Sequence, residues 1–179
     1  MKQKEDLLDI YDENNEPTNQ VATRTEAHKK GLWHRTGHVW IYNNNGEILL
    51  QQRAKEKKIY PNMWSTSVGG HIDAGESIET GLVSEVREEV GLIISTNDLI
   101  PFKMIEMLNT PTDKEFSYGY FLEHNQGINS FKVDKSEVQK VKFFKPNELR
   151  EKLKTNKNDF TTVENYWEEV IQKIEEITS

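Results

Sequence analysis

The stretch GHIDAGESIETGLVSEVREEVGL, residues 70–92, joins a glycine-containing segment to a helical repeat and decides the expected fold. Apolar side chains recur at the spacing of one helix face, at Ile78, Leu82, Val86 and Val90. Gly91 follows where a helix commonly ends. Glu85, Glu88 and Glu89 crowd the edge of this face, although each pair of neighbouring like charges costs about 0.2–0.5 kcal/mol. This crowding of negative charge calls for a physical reason.

Two interpretations of the three glutamates are open. In the first, the helix is a charged surface helix with salt bridges, and Arg87 lies between the glutamates to form them. In the second, the glycine segment bends the backbone so that the carbonyl of Gly70 and the carboxylates face one cation. Mg²⁺ binds a few carboxylates together with water and phosphate oxygens, and its charge offsets the repulsion among the acids. The glycine segment leads directly into the helix, which favours the second interpretation.

The composition of the whole chain excludes several classes of protein. Its 179 residues suffice for one domain with a core, and 35% hydrophobic and 30% charged residues are typical of a globular protein. The absence of cysteine excludes disulfides, thiolate metal sites and cysteine nucleophiles. The net charge of −7 disfavours nucleic-acid polymers and anionic membranes as partners, and no apolar run is long enough to span a membrane. The first residues, MKQKEDLLDIYDE, lack the apolar core of a signal peptide, so we expect a cytoplasmic protein.

The remaining pattern predicts both strands and helices. LLDIYDENNEPTNQVATR is typical of strand, turn and strand, and HVWIYNNNGEILLQQR of a hairpin whose NNNG turn supplies residues with positive φ. STSVGGHIDAGE, residues 65–76, predicts a tightly folded glycine loop. Three further strands are predicted, followed by a helix beginning near Pro146. The last helix is predicted from the apolar spacing of Val163, Trp167, Val170, Ile171 and Ile174. Strands and helices that do not alternate strictly predict the α+β class.

Residues 70–92 resemble the signature of the Nudix hydrolases. That signature is a glycine, five residues, a glutamate, seven residues, and then Arg-Glu-apolar-x-Glu-Glu-x-Gly-apolar. Gly70 opens it and Glu76 is its first glutamate. The later positions are filled without a gap by Glu85, Val86, Glu88, Glu89, Gly91 and Leu92. The resemblance implies the Nudix fold, an α/β/α sandwich with a mixed β-sheet between helices, and metal-dependent cleavage of a phosphoanhydride.

Ser84 departs from the signature, because it occupies the place of the family's arginine. In the family that arginine helps to orient the neighbouring glutamates. We hypothesise that Arg87, further along the same predicted helix, or Arg53, at the end of a preceding strand, supplies the missing positive charge.

The sequence around the signature is similar to the Nudix branch related to isopentenyl diphosphate isomerase. The shared features are WHR…HVW, LLxQR, a lysine-rich loop, PxxW and GGH. The isomerases also have a histidine-rich metal site and a downstream carboxylate, which are matched here by His28, His34, His71 and Glu115. They keep a catalytic cysteine just before the glycine–histidine pair, where this chain has Gly69. Without a thiol the isomerase reaction lacks its acid–base partner, so we disfavour it.

The resemblance implies metal-binding and catalytic roles for particular residues. The metal ligands are expected to be the Gly70 carbonyl and the carboxylates of Glu85, Glu88, Glu89 and Glu115. Glu85, Glu88 and Glu89 are also the expected catalytic residues. The base that takes a proton from water stays open between Glu85 and a carboxylate outside the signature, either Glu115 or Glu137. Glu115 and Glu137 are equally consistent with solvated strand residues.

Candidate substrate-binding residues lie before and within the glycine segment. Arg53 and Lys57 are candidates to bind phosphate, because a guanidinium fork or an ammonium group fits its oxygens. His71 is a candidate to contact metal or phosphate, and Trp64 to stack on a base. The alternatives are a charged loop that confers solubility for Arg53 and Lys57, and a core position for Trp64. The supporting residues are expected to be Glu76 and Arg87.

We therefore predict a single Nudix domain over residues 1–179, with an N-terminal strand hairpin at 5–30, a core at 31–150 and a C-terminal helix at 160–179. The predicted activity is hydrolysis of a phosphoanhydride in a nucleoside diphosphate derivative or related small diphosphate, with Mg²⁺ or Mn²⁺ as cofactor. The alternatives are a non-catalytic module that binds a nucleotide or phosphosugar and, less favoured, an isomerase. A homodimer is also open, because the apolar C-terminal helix fits either internal packing or a dimer contact.

Overall fold

The computed structural model describes residues 6–110, 112–161 and 165–179, with the backbone alone at 107–110. The strands are β1 (Leu7–Tyr11), β2 (Pro17–Thr23), β3 (His34–Tyr42), β4 (Ile48–Arg53), β5 (Trp64–Ser65), β6 (Val68–His71), β7 (Ile100–Thr110), β8 (Asp113–Glu123) and β9 (Val138–Phe144). The α-helices are α1 (Arg24–Lys30), α2 (Ile78–Val90), α3 (Pro146–Thr155) and α4 (Tyr166–Ile177), and short 3-10 turns lie at Thr96–Asp98, Ile128–Ser130 and Lys157–Asp159. None of the helices in these ranges has the length and apolar content that crossing a membrane requires.

The strands form two sheets in the described part of the chain. β1 and β2 pair antiparallel in a separate two-stranded sheet, which confirms the predicted N-terminal hairpin. The second sheet has seven strands in the order β5-β4-β3-β8-β7, with β6 also paired to β3 and β9 to β4. β3 and β8 run parallel, and the other pairs of this sheet run antiparallel. The sheet is therefore mixed, as predicted.

Strand β3 changes partner along its length. Its residues 36–39 pair with β6, whereas its register with β4 holds only at Tyr42 and Ile48. Away from that point β4 pairs with β5 and β9 instead. β4 and β6 are thus neighbours of β3 at different positions along that strand. The gap between β4 and β6 accepts a side chain from helix α2.

Side chains of β3 alternate between two cores because successive residues of a strand point to opposite faces. Val39 and Ile41 pack with the apolar face of α2. Trp40 and Tyr42 pack with the apolar face of α4, together with Leu149 of α3. Helices therefore cover both faces of the sheet, and the predicted α+β class with an α/β/α arrangement is confirmed.

Three local predictions need correction. The segment predicted as a glycine loop contains strand β6, because Gly69 and Gly70 lie in register against β3. The last helix begins at Tyr166 and not near residue 160, since Asn165 has a left-handed backbone with φ +61°. Val163, which was assigned to that helix, lies outside the described residues. In the NNNG turn only Gly46 has a positive φ, +70°.

Candidate active site

Helix α2 is fixed at both ends by the residues that the sequence pattern indicated. The Ser77 side chain accepts a hydrogen bond from the Thr80 N–H at 3.2 Å, which caps the N-terminus. Gly91 adopts the left-handed conformation, φ +74°, and its N–H bonds to the Arg87 carbonyl at 3.1 Å. The Asp134 N–H then donates to the Glu89 carbonyl at 3.1 Å, so a later loop also covers the end of the helix.

Two paired glycines let α2 lie close to the sheet. Gly37 of β3 and Gly70 of β6 are register partners. A Cβ atom on Gly37 would lie 2.9 Å from Leu82 Cδ2, and one on Gly70 would lie 2.8 Å from Glu85 Cγ. Such distances are shorter than real Cβ contacts, so a side chain at either position would force the Leu82 or Glu85 side chain to move. The Glu85 carboxylate consequently lies directly against Gly70.

A cleft of about 990 Å³ collects most of the predicted site residues. It is bounded by β3, β6 and α2, and by the loops that follow β4 and precede β9. The predicted residues that line it are Arg53, Lys57, Gly70, His71, Glu76, Glu85, Glu88, Glu89, Glu115 and Glu137. Acidic groups from the signature and basic groups from the β4–β5 loop therefore face the same space.

Glu89 is the most constrained of the three signature glutamates. It is buried, and its Oε2 accepts hydrogen bonds from the Gln51 side-chain amide at 2.9 Å and from the Gly69 N–H at 3.2 Å. Burial raises the pKa of Glu89 to about 7, while these two hydrogen bonds act in the opposite direction. One carboxylate oxygen is therefore held by β4 and β6.

Glu85 lies beside Glu89 without a stabilising partner. Its carboxylate has no hydrogen bond or ion pair among the described residues. Burial, together with the charges of Glu89 and Glu88, raises the pKa of Glu85 to about 8. Glu88, one turn from Glu85, is exposed at the rim of the cleft. Without a cation, the raised pKa values of Glu85 and Glu89 favour their protonated forms near neutral pH.

A second cluster of possible ligands adjoins the first. His28, His34, His71 and Glu115 each offer one ligand atom, and these atoms all lie within 4.8 Å of one another. Nε2 of His28 lies 2.9 Å from Nε2 of His71, and Nε2 of His34 lies 3.7 Å from Glu115 Oε1. Imidazole nitrogens and a carboxylate form a donor set suited to a divalent transition metal.

The surroundings of this cluster direct the imidazoles inward. Nδ1 of His28 pairs with Asp113 at 2.7 Å, and Nδ1 of His34 pairs with the Leu32 carbonyl at 2.9 Å. Outer partners of this kind orient metal-binding histidines in proteins. Nε2 of His34 is buried and has no hydrogen-bond partner among the described residues. A buried nitrogen without a hydrogen bond, within 4.8 Å of three other ligand atoms, fits a bound cation.

Arg53 and Lys57 are already engaged by protein groups. Nε of Arg53 donates to the Ile59 carbonyl at 3.1 Å, which ties the β4–β5 loop to the end of β4. The Lys57 ammonium forms an ion pair with Glu137. Both side chains still line the cleft, so their charges reach its interior.

Two predicted residues are not brought to the cleft. The Trp64 ring packs edge-on against Phe144, with centroids 5.1 Å apart, on the side of the α4 core. Arg87 is exposed, and its guanidinium lies 3.8 Å from the exposed carboxylate of Glu88. Ser84, at the place of the family's arginine, does line the cleft. The positive charges that lower the pKa values of the acids are Arg24 for Glu85 and Arg53 for Glu89.

Several residues of the cleft were missed by sequence reasoning. Arg24 lies one helical turn before His28, and its charge acts on Glu85 and His71. Tyr60 follows Lys57 in the β4–β5 loop, but no local pattern distinguishes it. His38, Ser117 and Tyr166 form a buried hydrogen-bonded group on the cleft wall, in which Nδ1 of His38 lies 3.0 Å from Ser117 Oγ. They come from β3, β8 and α4, and only the folded chain shows that they meet.

Comparisons with known proteins agree with this geometry. The family model described as NUDIX domain matches residues 32–166. An uncharacterized Nudix hydrolase of Clostridium acetobutylicum is 36% identical over 141 residues, covering 75% of this chain and 68% of that protein. An isopentenyl-diphosphate Delta-isomerase of Pectobacterium atrosepticum is 28% identical over 170 residues, covering 89% and 92%. The crystal structure of DR0079 from Deinococcus radiodurans has a similar fold, with a TM-score of 0.73, 21% identity and coverage of 94% and 98%.

Gly70→Ala should displace the Glu85 carboxylate, because the added methyl group takes its place. We expect the affinity for Mg²⁺ or Mn²⁺, measured by isothermal titration calorimetry, to fall about 10–100-fold. The free energy of unfolding should change by less than about 1 kcal/mol, because the strand backbone accepts alanine and the Glu85 side chain can rotate away.

Gly69→Ala is the matched control for this substitution. Its Cβ would be 3.5 Å from its nearest neighbours, an ordinary contact, so metal affinity should stay within about twofold of the unmodified protein. Equal metal affinity in Gly70→Ala and Gly69→Ala would contradict the placement of Glu85 at the cation.

Without metal, the free energy of unfolding should decrease as the pH rises from about 4.5 to about 8. The folded protein keeps protons on Glu85 (pKa about 8) and Glu89 (pKa about 7) that the unfolded chain has already released near 4.5, so raising the pH favours unfolding in this window. Above about 8 the two groups are ionised in both states and the decrease ends. Denaturant titrations over this pH range measure the effect.

In Glu85→Gln the free energy of unfolding should decrease less between about pH 4.5 and about pH 8, because one titrating carboxyl is removed. Mg²⁺ should stabilise the unmodified protein more at pH 8 than at pH 6, since it no longer has to displace the protons. Parallel pH profiles for the unmodified protein and Glu85→Gln would show that Glu85 titrates normally.

Proposed function

The chain belongs to the NUDIX domain family, and from this premise we propose that it hydrolyses a phosphoanhydride bond of a nucleoside diphosphate derivative or related diphosphate. The observation that carries the proposal is the polarity of the cleft. Carboxylates of Glu85, Glu88 and Glu89 and the basic groups of Arg53 and Lys57 line the same cleft. A divalent cation bound to a diphosphate matches both sets of charges, because the cation neutralises the carboxylates and the phosphates neutralise the basic groups.

Nudix hydrolases generally need divalent metal ions, and we propose Mg²⁺ or Mn²⁺ as the ion for this chain. The Gly70 carbonyl and the carboxylates of Glu85, Glu88 and Glu89 would hold it. A bound divalent ion supplies positive charge for the phosphate oxygens and a lower pKa for bound water. The histidine cluster with Glu115 is a second place for a cation, supported by the unpaired Nε2 of His34.

The chain's own residues account for the other requirements of hydrolysis. Arg53 and Lys57 would bind and orient the phosphates, with Lys57 exchanging its Glu137 partner for a phosphate oxygen. A general base needs a carboxylate within hydrogen-bond reach of the attacking water. Glu115 faces the histidines and Glu137 pairs with Lys57, whereas Glu85 has no partner among the described residues. We therefore propose Glu85 as the base.

Similarity to an isopentenyl-diphosphate isomerase over most of the chain makes isomerisation the second candidate. The histidine cluster is consistent with it. Gly69 opposes it, because no thiol is present where the isomerases hold their catalytic cysteine. A third outcome, binding without turnover, would follow if nothing replaced the arginine missing at Ser84.

Three further expectations remain proposals: a cytoplasmic location, a single domain, and a homodimer. The apolar face of α4 contacts the protein's own core, with Trp167, Val170, Ile171 and Ile174 buried. A dimer contact would therefore have to use another surface than the apolar face of that helix.

A panel of nucleoside diphosphate derivatives, phosphosugar nucleotides and isoprenoid diphosphates tests the proposal directly. We expect hydrolysis of at least one nucleoside diphosphate derivative with Mg²⁺ or Mn²⁺, and none after the ion is removed by chelation. Glu89→Gln should lower kcat at least roughly 10–100-fold, because it removes a charged ligand whose position is fixed by Gln51 and Gly69. Product release is followed by chromatography.

Arg87→Gln is the control on the same helix, because Arg87 lies outside the cleft and should leave kcat and KM unchanged. Double-bond migration in an isoprenoid diphosphate would support the isomerase. Nucleotide binding without any hydrolysis would support the non-catalytic module. Either result would overturn the proposed activity.

A further inference from the structure

The loop between β4 and β5 presents one large apolar side chain to the cleft. Tyr60 is 52% exposed and lines the same space as Lys57, three residues earlier in the loop. In the described ranges, the other exposed large hydrophobic residues do not line the cleft: Leu7, Val21, Ile59, Ile93, Ile100, Met104, Ile128 and Ile177. An exposed aromatic ring beside the predicted phosphate-binding groups is therefore particular to Tyr60.

The position of Tyr60 is imposed by its neighbours. Its backbone is left-handed, φ +52°, which is uncommon for a bulky residue and costs on the order of 1–3 kcal/mol. Side chains of β4 hold the loop on both sides of it: Arg53 Nε donates to the Ile59 carbonyl at 3.1 Å, and Gln52 Nε2 donates to the Asn62 carbonyl at 2.7 Å. Arg53, a proposed phosphate-binding residue, therefore also helps to hold the loop that carries Tyr60.

The Tyr60 ring has no protein partner. Among the described residues it makes no aromatic or cation–π contact, and its hydroxyl makes no hydrogen bond. The other aromatic residues at the cleft are committed elsewhere, since Phe160, Tyr166 and Trp167 are buried in the α4 core. Tyr60 therefore offers the free aromatic face of this part of the cleft.

Hydroxyl groups line the same cleft as this ring. Ser65, Thr66 and Thr161 are half-buried cleft residues, and Thr161 Oγ1 lies 3.0 Å from Ser65 Oγ. The Thr66 hydroxyl donates to the Val68 carbonyl at 3.3 Å. Each hydroxyl oxygen keeps further acceptor capacity, which a prenyl chain placed in this cleft would cut off from water without satisfying it. A nucleobase has both a π face for an aromatic ring and polar edges for hydroxyl groups.

We infer that Tyr60 is the stacking surface for the nucleobase of a nucleoside diphosphate derivative whose phosphates lie between Lys57 and the signature glutamates. The inference rests on the proposed function and narrows its substrate class: the group beyond the diphosphate is a base, and neither a prenyl chain nor a sugar alone. Tyr60 is a specificity-determining residue in this arrangement, and it takes no part in bond cleavage.

Binding of two probes separates the base from the diphosphate. ADP and methylenediphosphonate, each with Mg²⁺, are titrated calorimetrically into the full chain. Tyr60→Ala and Tyr60→Asn should lower the affinity for ADP about 5–100-fold, which is the range that base–aromatic stacking contributes. Both variants should bind methylenediphosphonate within about twofold of the unmodified protein, because that probe has no base.

Three comparisons keep the test specific. Tyr60→Asn removes the ring but tolerates the left-handed backbone, so its loss of ADP affinity cannot come from a rearranged loop. Tyr60→Phe should retain ADP affinity within about twofold, because it keeps the ring. Ile59→Ala, the adjacent exposed side chain outside the cleft, should bind both probes as the unmodified protein does.

The inference is overturned if ADP binds Tyr60→Asn unchanged, if both probes weaken equally, or if the unmodified protein does not bind ADP at all. Its failure is distinguishable from that of the hydrolase proposal. Metal-dependent hydrolysis that is indifferent to Tyr60 would uphold the activity and reject the base site. Tyr60-dependent ADP binding without hydrolysis of any diphosphate would uphold the base site and reject the hydrolase activity.

Discussion

Helix α2 packs its Leu82 and Glu85 side chains against two paired strand residues that lack side chains, Gly37 of β3 and Gly70 of β6. That contact sets Leu82 into the core on one side and the Glu85 carboxylate against the strand on the other. Glu89 then falls where β4 and β6 separate, and it is held there by Gln51 and Gly69. The positions of the signature carboxylates thus follow from how closely one helix can pack on one pair of strands.

The close packing has an electrostatic cost that a cation removes. Glu85 and Glu89 are partly or wholly buried near each other, and their raised pKa values show that the folded protein disfavours their charged forms. Arg24 and Arg53 offset only part of this cost. A divalent ion would favour the charged forms and would also attract a diphosphate toward Arg53 and Lys57. Metal affinity, stability and substrate binding are therefore linked through the same carboxylates.

Local pattern predicted helix α2 well, because its caps at Ser77 and Gly91 and its apolar repeat are all contained within one segment. The resemblance to Nudix proteins predicted in advance that Glu85, Glu88 and Glu89 belong to one site and that His28, His34 and His71 match a metal site. The role of Gly37 could not be predicted, since it depends on a strand pairing between residues about 30 positions apart. Trp64, a candidate to stack on a base with a core position as the alternative, packs against the α4 core. No local pattern distinguishes Tyr60, and only the folded chain shows that it lines the cleft.

A crystal of the protein soaked with Mn²⁺ and methylenediphosphonate tests the central claim most directly. Anomalous scattering locates manganese independently of the protein atoms. The account predicts a manganese peak coordinated by carboxylate oxygens of Glu85, Glu88 or Glu89 and by the Gly70 carbonyl, with phosphonate oxygens as further ligands. Phosphonate density in the cleft with no manganese near those carboxylates, or with the three side chains turned apart, would contradict it.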